Sequence, residues 1–148
     1  MSQGRFRRVA PDFWVSPQLS AGDFAAARAM GVRTVINNRP DGEAADQLPS
    51  AEAEAAAREA GLDYVFVPVP SGGMQPGHLQ AFRQAVDRYE GPFLAYCRSG
   101  TRSCHLWAFS TARTQPAEAV IEAAAAAGYD LSAAAPMLER IAAENAGR

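Results

Sequence analysis

There is no lysine anywhere in the 148 residues: all fourteen basic side chains are arginine. Schiff-base and lysine-nucleophile chemistry is therefore excluded at the outset. Cysteine is nearly as scarce, with Cys97 and Cys104 the only two, so no disulfide framework is available. With no apolar h-region in residues 1–20, the expected compartment is a reducing cytoplasm. No apolar run approaches the roughly 20 residues that a membrane span requires, so no membrane association is expected. A surplus of positive charge is also missing. The formal net charge is -2, and without a global positive field no nucleic-acid partner is expected. Only two histidines occur, His78 and His105, and neither stands at metal-ligand spacing from the other or from a carboxylate cluster. No metal and no other cofactor is expected.

What is present suits one globular domain. The chain is 48% hydrophobic and 20% charged, enough apolar surface for a sizeable core at a length too short for two. A single domain is expected over 1–148, with residues 1–10, including Arg5, Arg7 and Arg8, as a short basic arm. Phe13-Trp14-Val15 reads as a strand. Ser20 and Asp23 form a variant capping box that opens a helix over about 21–30, and Gly31 stops it. The β-branched run 32–37 is a strand, closed by the loop Asn38-Arg39-Pro40-Asp41-Gly42-Glu43. An Ala/Glu-rich helix from Pro49-Ser50 to Gly61 leads into a strand over 62–69. Pro76 then starts a helix whose Leu79, Phe82, Val86 and Tyr89 define one apolar face. Phe93-Leu94-Ala95-Tyr96 has the character of a buried central strand, followed by Cys97-Arg98-Ser99-Gly100-Thr101-Arg102-Ser103 and a helix. Two further helices are expected at about 117–127 and 133–145, the second capped by Ser132. Strands alternating with helices imply an α/β fold with a mostly parallel central sheet. The Ala-rich helices suit packing against a second subunit as well as within one chain, so the oligomeric state stays open.

Cys97 is the chemical focus. It falls at the carboxyl end of a strand just before a helix, where open parallel sheets bind ligands. The loop of Arg98, Ser99, Gly100 and Thr101 is small and polar enough for its N–H groups to converge as an anion cradle. The same groups, the helix N-terminus and Arg102 would stabilise a thiolate and make Cys97 a nucleophile. Arg102 offers a planar fork for two oxygens of an oxyanion, and Ser103 could hydrogen-bond the thiolate as it leaves. The alternative for Cys97 is a small hydrophobe ending a core strand. A resolving role for Cys104, two helical turns on, is also conceivable.

The run 32–43, Pro68-Val69-Pro70 and Tyr96–Ser103 together resemble the phosphatase-like domain also found fused to bacterial beta-lactamase-like hydrolases, over roughly residues 10–135. That resemblance implies a dual-specificity phosphatase-like architecture, Cys97 as nucleophile and Arg102 as phosphate ligand. It implies hydrolysis of a phosphate monoester through a phosphocysteine. Two features differ from the usual cysteine-phosphatase pattern. Only 98–101 separate the cysteine from the arginine, one residue fewer than usual, and the expected acid loop, Pro70-Ser71-Gly72-Gly73-Met74, has no carboxylate. Asp41 is the candidate substitute acid, with Arg39 as a further anion ligand; a plain Asp41-Gly42 turn with a solvated Glu43 is the alternative. The shortened loop also resembles that of rhodaneses, which hold a sulfane sulfur as a persulfide and need no general acid. Sulfurtransferase activity is thus the second expectation, and an inactive anion-binding module the third.

Overall fold

A computed structural model describes residues 5–146, and its five strands form one sheet in the order β1-β2-β5-β3-β4. These are β1 (Arg7–Ala10), β2 (Phe13–Ser16), β3 (Thr34–Asn37), β4 (Asp63–Phe66) and β5 (Phe93–Tyr96). Only β1 runs antiparallel, against β2; the remaining pairs are parallel. The helices are α1 (Asp23–Ala29), α2 (Ser50–Glu59), α3 (Pro76–Arg88), α4 (Thr101–Thr111), α5 (Ala117–Ala126) and α6 (Ala135–Ala146). The fold is therefore α/β with a mostly parallel central sheet flanked by helices.

Strand periodicity divides the apolar side chains between two faces. From β5, Phe93 and Ala95 join the core under α3–α6, with Phe82, Leu106, Trp107 and Leu138. Leu94 and Tyr96 join the opposite core, with Phe24, Ala53 and Ala57 from α1 and α2. All four residues of β5 are buried, as befits a strand paired on both edges and covered on both faces. Every parallel strand reaches the same edge of the sheet, so the loops after β2, β3 and β5 meet there.

Several expectations need correction. Within the expected arm, Arg7–Ala10 is a strand, with Phe6 and Val9 buried. Their spacing of three places Phe6 in one core and Val9 in the other, and a register shift between Arg8 and Ala10 hides the period of two. Arg8 lies over the Trp14 ring at 5.6 Å and Arg5 pairs with Asp23. Residues 1–4 of that arm lie outside the described residues. The strand expected over 62–69 ends at Phe66, because Pro68 and Pro70 have no N–H to continue a ladder. The N–H groups of Val67 and Val69 still bond to the carbonyls of Asn37 and Asn38. Tyr89 leaves the α3 face, since the helix ends at Arg88 and Tyr89 is extended. Before α6, Ser132 opens the 3-10 turn Ser132–Ala134, whose N-cap is Leu131, instead of capping a helix; its N–H donates to the side chain of Asp130 at 2.9 Å.

Candidate functional site

Cys97 immediately follows β5 and is fully buried at the floor of the loop that leads into α4. Gly100 adopts a left-handed conformation (φ 94°) that turns the chain into the helix. Its N–H donates to Cys97 Sγ at 3.2 Å. Of the loop N–H groups expected to converge as a cradle, that of Gly100 is on the sulfur and the others are used differently. Thr101 N–H is taken by Ser99 Oγ at 3.3 Å, and Ser99 Oγ–H donates to Thr101 Oγ1 at 2.9 Å. The first bond of α4 runs from Cys104 N–H to Gly100 C=O, so the N–H groups of Arg102 and Ser103 belong to the open first turn. Cys97 N–H to Ser16 C=O (3.4 Å) and Gln18 N–H to Arg98 C=O (3.2 Å) fasten the loop to the end of β2.

Arg102 is held by three bonds to acceptors outside the loop. Its Nη1 donates to Glu43 Oε2 and to the Val69 carbonyl, both at 2.8 Å, and its Nη2 donates to Glu43 Oε1 at 2.9 Å. Of the five guanidinium hydrogens this leaves Nε–H and one Nη2–H, which lie on the same edge and form a bidentate pair. Hydrogen bonding to Glu43 holds the Arg102 guanidinium in its charged form, against desolvation by burial. Arg39, expected to bind substrate, is buried instead. Its Nε donates to Glu43 Oε1 at 2.9 Å and its Nη1 to Gln18 Oε1 at 3.0 Å. Glu43 therefore bridges two arginines, and hydrogen bonding to Arg102 drives its carboxyl down from 4.5 to about 2, against desolvation and with further help from Arg39. Glu43, read from sequence as a solvated side chain, is instead the ion-pair partner of both arginines, a pairing that the sequence reading missed. The available signal was charge balance: two arginines beside a cysteine loop require a counter-charge.

The remaining candidates divide. Ser103 is buried, and its Oγ donates to Asn38 Oδ1 at 2.8 Å, not to Cys97. Asn38 in turn donates to the Val67 carbonyl at 2.9 Å, so Ser103 ties α4 to the loops after β3 and β4. Asp41 Oδ1 accepts the N–H of Ser50 at 2.8 Å and serves the start of α2. Arg98, Ser99, Thr101 and Arg102 line an open cleft of about 760 Å³ together with His105, Phe109 and, from the 70–74 segment, Pro70, Ser71, Gly72 and Met74. Asp41 is not in that lining, and among the described residues the lining holds no carboxylate. His105 shares a 2.8 Å hydrogen bond with the Thr101 carbonyl through Nδ1, and His78 Nδ1 accepts the N–H of Gln75 at 2.8 Å. Burial, with the charge of Cys97 adding, pushes the Cys104 thiol up to about 12. At neutral pH Cys104 is a protonated core side chain, which removes the basis for a resolving role.

A strand, a cysteine-led loop with its arginine, and a helix over a mostly parallel sheet define a cysteine-phosphatase-like α/β protein. More narrowly, the chain belongs to the family of the phosphatase-like domain of beta-lactamase hydrolase-like proteins, whose model matches residues 5–114. It is 34% identical over 136 residues to a beta-lactamase hydrolase-like protein of Agrobacterium fabrum, and 38% identical over 128 residues to one from Xylella fastidiosa. The chain covers 31% and 30% of those two proteins, and 90% and 85% of its own length is matched. A candidate phosphatase of Neisseria meningitidis superposes with a TM-score of 0.81 at 32% identity, covering 95% of this chain and 99% of that one. PTPMT1 in complex with PI(5)P superposes at 0.74 with 16% identity, over 97% of this chain and 98% of that one, and shares the fold.

Proposed function

We propose that Cys97 is the nucleophile of a phosphate-monoester hydrolase. The observation that carries this reading is the Gly100 N–H on Cys97 Sγ at the start of α4, beside an Arg102 whose free edge can take two oxygens. Membership of a phosphatase-like family supports it. The thiolate attacks phosphorus, the S–P bond forms as the bond to the ester oxygen breaks, and Arg102 with the first-turn N–H groups stabilises the equatorial oxygens. Water then displaces the thiolate from phosphorus. With Asp41 engaged at α2 and no carboxylate in the cleft lining, the leaving group departs as an anion or takes its proton from water. Aryl phosphates are accordingly the expected substrates, ahead of alkyl esters.

Two observations, a four-residue interval between Cys97 and Arg102 and a cleft lining without a carboxylate among the described residues, favour sulfur transfer as the second reading. Thiolate attack on the outer sulfur of thiosulfate gives a Cys97 persulfide and releases sulfite, which leaves as a stable anion without a proton. Intact-protein mass spectrometry of wild type and Cys97→Ser, after an aryl phosphate or separately thiosulfate, distinguishes the two. Phosphate release that is lost in the variant establishes the hydrolase. A gain of one sulfur atom on wild type alone, discharged by cyanide, replaces that reading with the sulfurtransferase. Neither outcome, with phosphate still binding, would leave an anion-binding module.

A further inference from the structure

One peptide group carries the hydrogen bond to the nucleophile, and a residue 32 positions further along the chain grips its other end. Gly100 N–H donates to Cys97 Sγ at 3.2 Å. The carbonyl of that same peptide, belonging to Ser99, accepts the hydroxyl of Tyr129 at 3.1 Å. In a trans peptide the C=O and N–H point in opposite directions, so the two bonds together fix the plane with its N–H turned inward. A flip would orphan the Tyr129 hydroxyl and turn carbonyl lone pairs toward the sulfur. Tyr129 also occupies the space above Gly100, where an added Cβ would stand 2.1 Å from the hydroxyl and 3.0 Å from Cζ.

The tyrosine is itself well placed to act as a clamp. Gly128, in a left-handed conformation, ends α5, and Tyr129 N–H bonds back to the Ala124 carbonyl at 2.9 Å. The ring packs against the core under α3–α6. Burial raises the phenol above its ordinary value; the hydroxyl therefore remains a donor at neutral pH. Tyr129 lies beyond the 5–114 span matched by the family.

We infer that Tyr129 is a positioning residue, holding the Ser99–Gly100 peptide so that its N–H stabilises the Cys97 thiolate. The inference rests on the proposal that Cys97 works as a thiolate, and the two fail in different ways. Tyr129→Phe keeps the ring and removes the donor. Alkylation of Cys97 by iodoacetamide is followed by peptide mass, since cleavage at arginine places Cys97 in 89–98 and Cys104 in 103–113. At pH 7 the variant should react about five-fold more slowly than wild type, the weight of the one neutral hydrogen bond that the substitution removes. The difference should close by pH 9.5, where ionisation no longer limits the rate. An equal rate at pH 7, or a loss that persists unchanged at pH 9.5, overturns the positioning role. Wild-type Cys97 that reacts no faster than a simple thiol overturns the thiolate reading before any variant is made. Amide exchange in the wild type gives a measurement independent of the substitution: Gly100 N–H should exchange more slowly than Ser99 N–H, and equal rates overturn the clamp.

Discussion

The unusual residue of the site is Glu43. A carboxylate beside an arginine proposed to bind phosphate would ordinarily compete with the ligand, yet here it occupies the Nη1–Nη2 end of Arg102 and leaves the Nε–Nη2 edge open. With Arg39 on its other side, it also offsets the charge of two guanidinium groups in a partly buried setting. Glu43→Gln should retain part of the geometry while losing the charge, so phosphate affinity should fall by about ten-fold, the weight of a charge-assisted hydrogen bond. Titration of phosphate by calorimetry reads this directly, and an unchanged affinity would dismiss the clamp. Acid acts on the same group with a definite sign. A carboxyl lowered from 4.5 to about 2 in the folded state contributes stability that is complete above 4.5 and is lost as pH falls from there toward 2. The Arg102–Glu43 pair should therefore persist at neutral pH, and Glu43→Gln should flatten the acid limb of the stability profile between those values. Cys97 and Arg102 were legible in the sequence because they share one short loop. Their partners were not: Glu43 lies 59 positions from Arg102, and no local period reports a pairing of that span.

Among elements, α2 gives Asp41 a structural task that the sequence did not show. Its N-cap position holds Pro49, which has no side-chain acceptor and makes no cap bond, so the Ser50 N–H finds its acceptor on Asp41 across the preceding loop. In sequence the separation of nine positions made Asp41 look free for catalysis. Asp41→Ala should cost about 0.5–2 kcal/mol of stability, the usual range for a lost cap, measured by denaturant unfolding. Aryl phosphate hydrolysis should remain near wild type. A rate loss confined to poor leaving groups would instead restore Asp41 as the acid. Of the strands, β5 was legible because a strand covered on both faces is apolar throughout. β1 was not, since its register shift removes the alternation by which a half-buried strand is recognised.

For the molecule as a whole, the sheet divides the apolar residues into two cores, and α5 and α6 close the one nearer α4. Leu138 on α6 is fully buried in it. Leu138→Ala should therefore cost about 2–5 kcal/mol, and a loss below 1 kcal/mol in denaturant unfolding would show that α6 packs loosely. The α/β class was legible in full because alternation of strand and helix survives errors of two residues at every boundary. Where the loops after β2, β3 and β4 touch the cradle was not, because those contacts exist only once the parallel strands have brought distant loops to one edge.

The matched family span ends at residue 114, ahead of Val120, Leu131, Leu138 and Ile141 in the core and of Tyr129 on the cradle. For protein engineering this moves the boundary of the portable unit. A chimera spliced at 114 would carry every residue of the cysteine loop and still inherit an open hydrophobic flank, so a graft of this loop has to include the two closing helices to travel intact.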